Sequence, residues 1–356
     1  MTKGKTVRVL SVAVLILMLV LMLIYTGSGH GRECRRDIFA MNTYMTVSVT
    51  GKDCEAAAEE AVREIERLDR ELSATSDSSK VAQLNKEGRG IVSTDMMFLF
   101  NTSKKVYDMT GGGFDITTYP LKKAWGFDTG EYRIPSEEEL HELLPLVDMR
   151  LIEVNEDSGE IVMPEGMETD FGGIAKGYAA DRIVGLLKNY DIDSAIINLG
   201  GNVRVYGSKD NGEAYRVAIR CPEEYTNVVN GSGDDRDYLG ILSVNDKAVI
   251  TSGSYERFFE YEGKKYHHII DPATGYPVDS GLVSVTVIGE DGATCDALST
   301  GIFVGGLDMA KAFYSRFHED YDLILLDEDG TIYATEGVAD DLETDGDLII
   351  IRKADS

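Results

Sequence analysis

Along 55–72 (EAAAEEAVREIERLDREL) the apolar positions Ala58, Val62, Ile65, Leu68 and Leu72 recur every three or four residues with acids and bases between them, which predicts an amphipathic helix. Short apolar runs at 195–199 (AIINL), 283–288 (VSVTVI) and 321–326 (YDLILL) predict buried strands, and DEDGTIYA (327–334) turns through Asp329 and Gly330 as a hairpin. Ser136, just after Pro135 and three residues before Glu139, carries the capping-box signature of a short helix. VVNGSGDDRD (228–237) reads as a charged surface loop. Helical and strand patterns alternate irregularly with several hairpins, and no repeat or proline-rich linker interrupts them, so the fold class is α+β rather than doubly wound.

The first residues depart from this pattern. Lys3, Lys5 and Arg8 precede an uncharged apolar run over 9–25, close to the roughly 20 residues that cross a bilayer. That basic flank predicts a cytoplasmic N-terminus and an exported body. Small residues follow at Gly27, Ser28 and Gly29, so a cleaved signal and a retained anchor both stay open. The chain divides into 1–33, the signal or membrane-anchor segment, and 34–356, the functional domain. Arg32 and Glu33 stand where a lipoprotein signal needs small residues, so Cys34 is read as unmodified. The four cysteines, Cys34, Cys54, Cys221 and Cys295, form no CxxC pair; their spacing excludes a zinc knuckle and declares no disulfide, and their chemistry is expected to be incidental.

Charge narrows the partners. With a formal net charge of −27 over 356 residues and a pI near 4.5, the soluble part would repel a phosphate backbone or an anionic lipid surface, so no nucleic acid partner is expected.

Glycine placement says more. TGGGFDITTYPLKKAWGF (110–127), TDFGGIAKGYAADRI (169–183) and INLGGNVRVYG (197–207) each set glycines where a chain would turn or approach a ligand closely, and together they suggest a nucleotide-sized ligand. Singly, each reads better as a tight turn than as a site. None has phosphate-loop spacing. In TCDALSTGIFVGG (294–306), Asp296 and Thr300 are four apart and would share a helix face, a pair suited to a hard ion such as Mg²⁺; the alternative is that Asp296 caps the helix. YHHIIDPATGYPV (266–278) places two of the five histidines side by side before an Asp-Pro turn, where a strand's end could present an imidazole for proton chemistry.

The motifs MNTYMTV, ELSATSDSSKVAQLN, GGGFDITTYPLKKAWGF, TDFGGIAKGYAADRI, INLGGNV, ITSGSYERFFEYEGKKYHHIIDPATGYPV and CDALSTGIFVGG stand in the order found in the FAD:protein FMN transferases, the ApbE-like flavin transferases, which this chain resembles from about Phe39 to Asp340. The resemblance implies a single two-lobed α+β catalytic domain after the N-terminal segment, with FAD as substrate and Mg²⁺ between the lobes. It implies that Met41 packs on the flavin nucleotide, that Gly113, Phe114 and Asp115 line FAD, that Asp170 and Lys176 contact the adenosine and its neighbourhood, and that Ile269 lines the same cleft. Gly173, through its carbonyl, with Asp296 and Thr300 would complete the metal shell. His268 would be the base that takes the proton of an acceptor threonine or serine hydroxyl, with His267 on the opposite strand face.

The chemistry implied is transfer of the FMN half of FAD to a target flavoprotein with release of AMP, Mg²⁺ offsetting charge and a histidine near its ordinary pKa of about 6.5 accepting the proton. Alternatives are an Mg²⁺-dependent FAD pyrophosphatase and a non-enzymatic exported FAD binder. Two positions depart from the family pattern: Asn42 stands where Gly is usual, which a left-handed turn tolerates, and the aromatic expected after ELS is absent from ELSATSD. DGAT (291–294) resembles the acceptor motif of the family's targets, raising self-modification of Thr294 as a side question.

Overall fold

A computed structural model describes residues 31–209, 212–229 and 237–353. The apolar run over 9–25 lies outside the described residues, and among those described no helix is long and apolar enough to cross a membrane.

The centre is a nine-stranded sheet whose spatial order follows the chain: β1 (Glu33–Ala40), β2 (Thr43–Gly51), β3 (Ile192–Leu199), β4 (Asn202–Gly207), β5 (Ala248–Gly253), β6 (Leu282–Gly289), β7 (Asp322–Asp327), β8 (Ile332–Thr335) and β9 (Leu348–Ile351). Every neighbouring pair is antiparallel except β8 and β9, which run parallel. The strands predicted at 195–199 and 283–288 fall inside β3 and β6, that predicted at 321–326 starts one residue before β7, and the β7–β8 hairpin closes with Asp327 N–H donating to Thr331 O at 3.1 Å.

Helices α1 (Cys54–Leu72), α3 (Ala175–Leu187) and α4 (Gly292–Phe317) pack on this sheet, and α2 (Thr94–Met109) packs on α4. The stripe predicted on α1 is buried at Ala58, Ile65, Leu68 and Leu72, while Val62 is half-buried at its edge. A three-stranded sheet, formed by Tyr215–Arg220, Tyr238–Val244 and Leu342–Glu343, supplies a second hydrophobic cluster. Strand alternation feeds both cores. Leu323 and Leu325 of β7 join the helix-side core, and Ile324 and Leu326 join the other, which is why LILL (323–326) is apolar throughout.

A third cluster of Leu121, Trp125, Phe127, Leu140 and Ile270 supports the hairpin Phe258–Tyr261/Lys264–His267. Trp125 is fully buried and donates its indole N–H to Gly275 O at 2.8 Å, tying the segment after α2 to the turn that follows the paired histidines.

Several expectations need correction. Cys34 and Cys54 are disulfide-bonded, with Cα atoms 5.5 Å apart, so cysteine chemistry is not incidental: pairing of β1 with β2 and return of the chain into α1 bring together two residues 20 apart. Ser136 caps its helix by accepting from Glu139 N–H, but the Glu139 carboxylate turns to Arg133 and leaves the capping box half made. Residues 228 and 229 end the helix Glu223–Val229 rather than a loop, and 230–236 lie outside the described residues.

Helices α3 and α4 meet backbone to backbone. A Cβ placed on Gly177 would lie 2.0 Å from Gly292 O and 2.8 Å from Asp296 Cβ, so only glycine permits this approach. Asp181, one turn further along α3, accepts from the N–H groups of Gly292 and Ala293 at 3.0 and 2.9 Å, meeting two of the unpaired donors that open α4. Alanine at 177 would gain about 1 kcal/mol in helix propensity, but the facing carbonyl cannot move aside as a side chain would. Gly177→Ala is therefore expected to destabilise the protein by about 2–4 kcal/mol. Gly185→Ala in the same helix, where nothing lies within 4 Å of the added methyl, should be neutral or slightly stabilising. Urea unfolding of the two variants side by side checks the contrast.

Candidate active site

Asp296 lies in the second turn of α4 and is buried. It does not cap the helix; Asp291 does, accepting from Thr294 N–H at 2.9 Å. The Asp296 carboxylate accepts from Gly177 N–H and from Asn202 Nδ2, both at 2.9 Å, and Lys176 Nζ stands 3.8 Å away. Each oxygen therefore takes one short hydrogen bond and retains lone-pair capacity. Thr300, one turn on, meets Ser252 Oγ at 3.1 Å. A Cβ on Gly173 would lie 3.6 Å from Thr300 Oγ1 and 3.0 Å from the Phe114 ring, so Gly173 is pressed between them. Gly113 is equally confined, its added Cβ falling 2.6 Å from Gly301 O.

The structure thus brings Gly113, Phe114, Gly173, Lys176, Asp296 and Thr300 to one place. Among the described residues no three His, Cys, Asp or Glu side chains form a metal cluster. Asp296, Thr300 and the Gly173 carbonyl offer a carboxylate, a hydroxyl and an amide oxygen, a hard-donor set that fits Mg²⁺ and suits neither zinc nor copper.

Asp115 is turned toward the protein. It accepts from Thr117 N–H, Thr117 Oγ1 and Met149 N–H, and so fixes the course of the loop after Phe114; burial raises its carboxyl. Asp170 receives Lys122 Nζ at 2.7 Å and Gly172 N–H at 2.9 Å. Burial would raise its carboxyl, but Lys122, the Gly172 N–H and the charge of Arg257 prevail and hold it below the usual range. Met41 and Asn42 form the β1–β2 turn with φ of 47° and 59°, so Asn42 does adopt the left-handed conformation expected of it, and so does Met41. Met41 N–H donates to Asp69, while Thr43 packs where a Gly200 side chain would be, placing this turn against the segment that carries Asn202.

The two adjacent imidazoles are in opposite tautomers. His267 is buried, accepts from Ile269 N–H at Nδ1 and places Nε2 2.9 Å from Val278 O, so Nε2 carries the proton and both nitrogens are spent. His268 places Nδ1 3.2 Å from Arg257 O, a carbonyl that can only accept, so Nδ1 is protonated and Nε2 keeps its lone pair. Ile269 is buried beside it. Burial, then Lys122 and Arg257, push the His268 pKa down to about 3, away from the ordinary value expected from the sequence. Water at this partly covered ring moderates the displacement, and the imidazole is neutral at pH 7. Thr294 is buried within α4, which gives an acceptor role no access to solvent.

Sequence reasoning missed Asn202, Ser252, Lys122 and Arg257. All four lie inside quoted motifs, but only strand pairing and tertiary packing show what they touch.

The ApbE family model matches residues 41–325. The chain is 31% identical over 327 residues to an FAD:protein FMN transferase of Treponema pallidum (strain Nichols), covering 88% of this chain and 90% of that one. It is 32% identical over 276 residues to one of Klebsiella pneumoniae (strain 342), covering 76% and 82%. Among solved structures, the ApbE protein of Thermotoga maritima superposes with a TM-score of 0.78 at 31% identity over 86% of this chain and 98% of that one. The flavin transferase ApbE of Vibrio cholerae gives 0.74 at 25% identity, over 86% and 98%.

With both imidazoles displaced downward, the folded state binds fewer protons than the unfolded chain between the lowered values and about 6.5. The two histidines therefore subtract stability as pH falls through 6.5. The expected outcome is that the His267 and His268 ring resonances of a ¹³C/¹⁵N-histidine-labelled sample remain those of neutral imidazole, in opposite tautomers, from pH 8 to below 6. A His268 midpoint at or above 6.5 would contradict it.

Proposed function

The chain belongs to the ApbE family, a family of FAD:protein FMN transferases, and from that premise we propose that it joins FMN to a threonine or serine hydroxyl of an acceptor flavoprotein in an Mg²⁺-dependent step that releases AMP. What carries the reading is the placement of Asp296 and Thr300 on one face of α4 against Gly173; His268, whose Nδ1 is committed to Arg257 O and whose Nε2 keeps its lone pair, would supply the base.

Asp296, Thr300 and the Gly173 carbonyl would hold the Mg²⁺, which when bound offsets negative charge on the FAD pyrophosphate. His268 Nε2 accepts the acceptor hydroxyl's proton as its oxygen bonds to the FMN-side phosphorus; the bridging P–O bond breaks and AMP departs. Arg257 O keeps the imidazole in the tautomer this step needs, with the second ring nitrogen already committed. Phe114 and Gly113 would shape one wall, on a loop whose course Asp115 fixes from behind, Ile269 would shape another, and Met41 at the β1–β2 turn would offer an apolar surface to the nucleotide. Asp170, held by Lys122, and Lys176 sit where the adenosine side would lie.

The same reading places the domain 34–356 outside the cytoplasm, tethered through 1–33 or released by its cleavage. Support comes from the Cys34–Cys54 disulfide, since such bonds persist in oxidising compartments and are rare in the cytosol. The native protein, denatured without reductant, should expose two alkylatable thiols, Cys221 and Cys295, and four after reduction; intact mass after alkylation counts them.

For the reaction, a small protein carrying an Asp-Gly-Ala-Thr segment should gain one FMN unit in intact mass when incubated with the chain, FAD and Mg²⁺, and none when chelator is added. His268→Ala should lower kcat by about 100- to 10,000-fold while FAD binding stays within a few-fold. FMN and AMP appearing with the acceptor unmodified would replace transfer by hydrolysis of FAD.

A further inference from the structure

Arg257 carries a charge that no carboxylate neutralises among the described residues. It precedes the strand Phe258–Tyr261, is exposed, and makes one side-chain hydrogen bond, from Nη2 to Phe127 O at 2.6 Å. Among the described residues no carboxylate lies within ion-pair distance of it. Arg67, Arg133, Arg150 and Arg216 each hold a carboxylate, whereas Arg257 is without one at a position beside His268. Lys122, the other cation on this side of the site, already has Asp170 at 2.7 Å.

The Arg257 main chain is bound to the base. Its carbonyl accepts both the backbone N–H of His268, at 3.0 Å, and the ring Nδ1–H. Its guanidinium hooks onto the carbonyl of Phe127, whose ring stands edge-on to the same imidazole with centroids 6.4 Å apart. The fork is therefore held at one corner, and its other N–H groups are left to solvent next to His268. Its field reaches both His268 and Asp170, each of whose pKa values it lowers.

We propose, resting on the reading above, that Arg257 is a phosphate ligand of the FAD site: the N–H groups not bonded to Phe127 donate to non-bridging oxygens of the pyrophosphate, while the Arg257 carbonyl keeps His268 Nε2 toward the same group. A guanidinium suits this because its planar fork is already fixed at one end and matches the spacing of two phosphate oxygens. The acidity of the rest of the chain adds to the need for a local cation where a dianionic segment must sit.

The test compares ligands with and without phosphate. Binding of FAD and of riboflavin is followed by flavin fluorescence on the full chain, with Mg²⁺ present and no acceptor, for the parent protein, Arg257→Met and Arg257→Lys. Arg257→Met should raise the FAD Kd about 10- to 100-fold. Arg257→Lys should recover part of that loss by keeping the charge without the fork. Riboflavin, which has no phosphate, should change by less than twofold, with the thermal midpoint unmoved. An FAD Kd within twofold of the parent in Arg257→Met overturns the assignment. So does an equal loss for FAD and riboflavin, which marks a structural role. A parent chain that binds no FAD at all brings down the underlying reading and this inference together.

Discussion

The approach of α3 to α4 at Gly177 and Gly292 governs the site. It leaves no room for a β-carbon, and it alone brings the Gly177 N–H within 2.9 Å of the Asp296 carboxylate. Asp181 fastens the same pair of helices from the other side by accepting from the first N–H groups of α4, at a cost: burial pushes its own carboxyl up to about 7. The distance between these helices determines whether Asp296, Thr300 and Gly173 can converge. A site built this way has its oxygen donors set by backbone packing, which relaxes less than side-chain packing does.

The segment that carries the proposed base is assembled differently. The paired histidines stand at the end of a two-stranded hairpin outside the main sheet, supported by Trp125 and its neighbours. Strand alternation sends His267 inward, where both ring nitrogens are consumed, and leaves His268 with one nitrogen fixed and one open. One imidazole secures the strand end to Val278; the other is available for chemistry. Their near-identical local sequence contexts conceal a complete difference in protonation pattern.

That difference shows where sequence reading stops. The amphipathic helix at 55–72 and the strands at 195–199, 283–288 and 321–326 were legible because burial imposes a period on the chain, and Asp296 with Thr300 because an i, i+4 pair must share a helix face. Gly173 joined them only through the family resemblance, since no local pattern distinguishes a glycine whose carbonyl serves a ligand from one that serves a turn. Asn202 and Ser252 reach α4 from β4 and β5, and their roles exist only once the sheet has paired. The Cys34–Cys54 bond was missed for the same reason: the separation of 20 residues says nothing until β1 lies beside the start of α1.

Charge reads in opposite directions at the two scales. The net charge of −27 argues against polyanionic partners, yet the proposed substrate carries a pyrophosphate. The site resolves the conflict locally, with Lys176 near Asp296, Lys122 on Asp170 and Arg257 beside His268. Salt screens the acids spread over the solvated surface beyond a Debye length of about 8 Å at physiological ionic strength, while charges in a partly desolvated cleft are screened much less, so these few cations outweigh the distant acids there. Lys122 and Arg257 also disfavour imidazolium at His268, so the groups proposed to receive an anion are the ones that keep the proposed base free of a proton. Bound phosphate would partly reverse that bias by stabilising the protonated ring, which favours proton uptake by His268 only once FAD is in place.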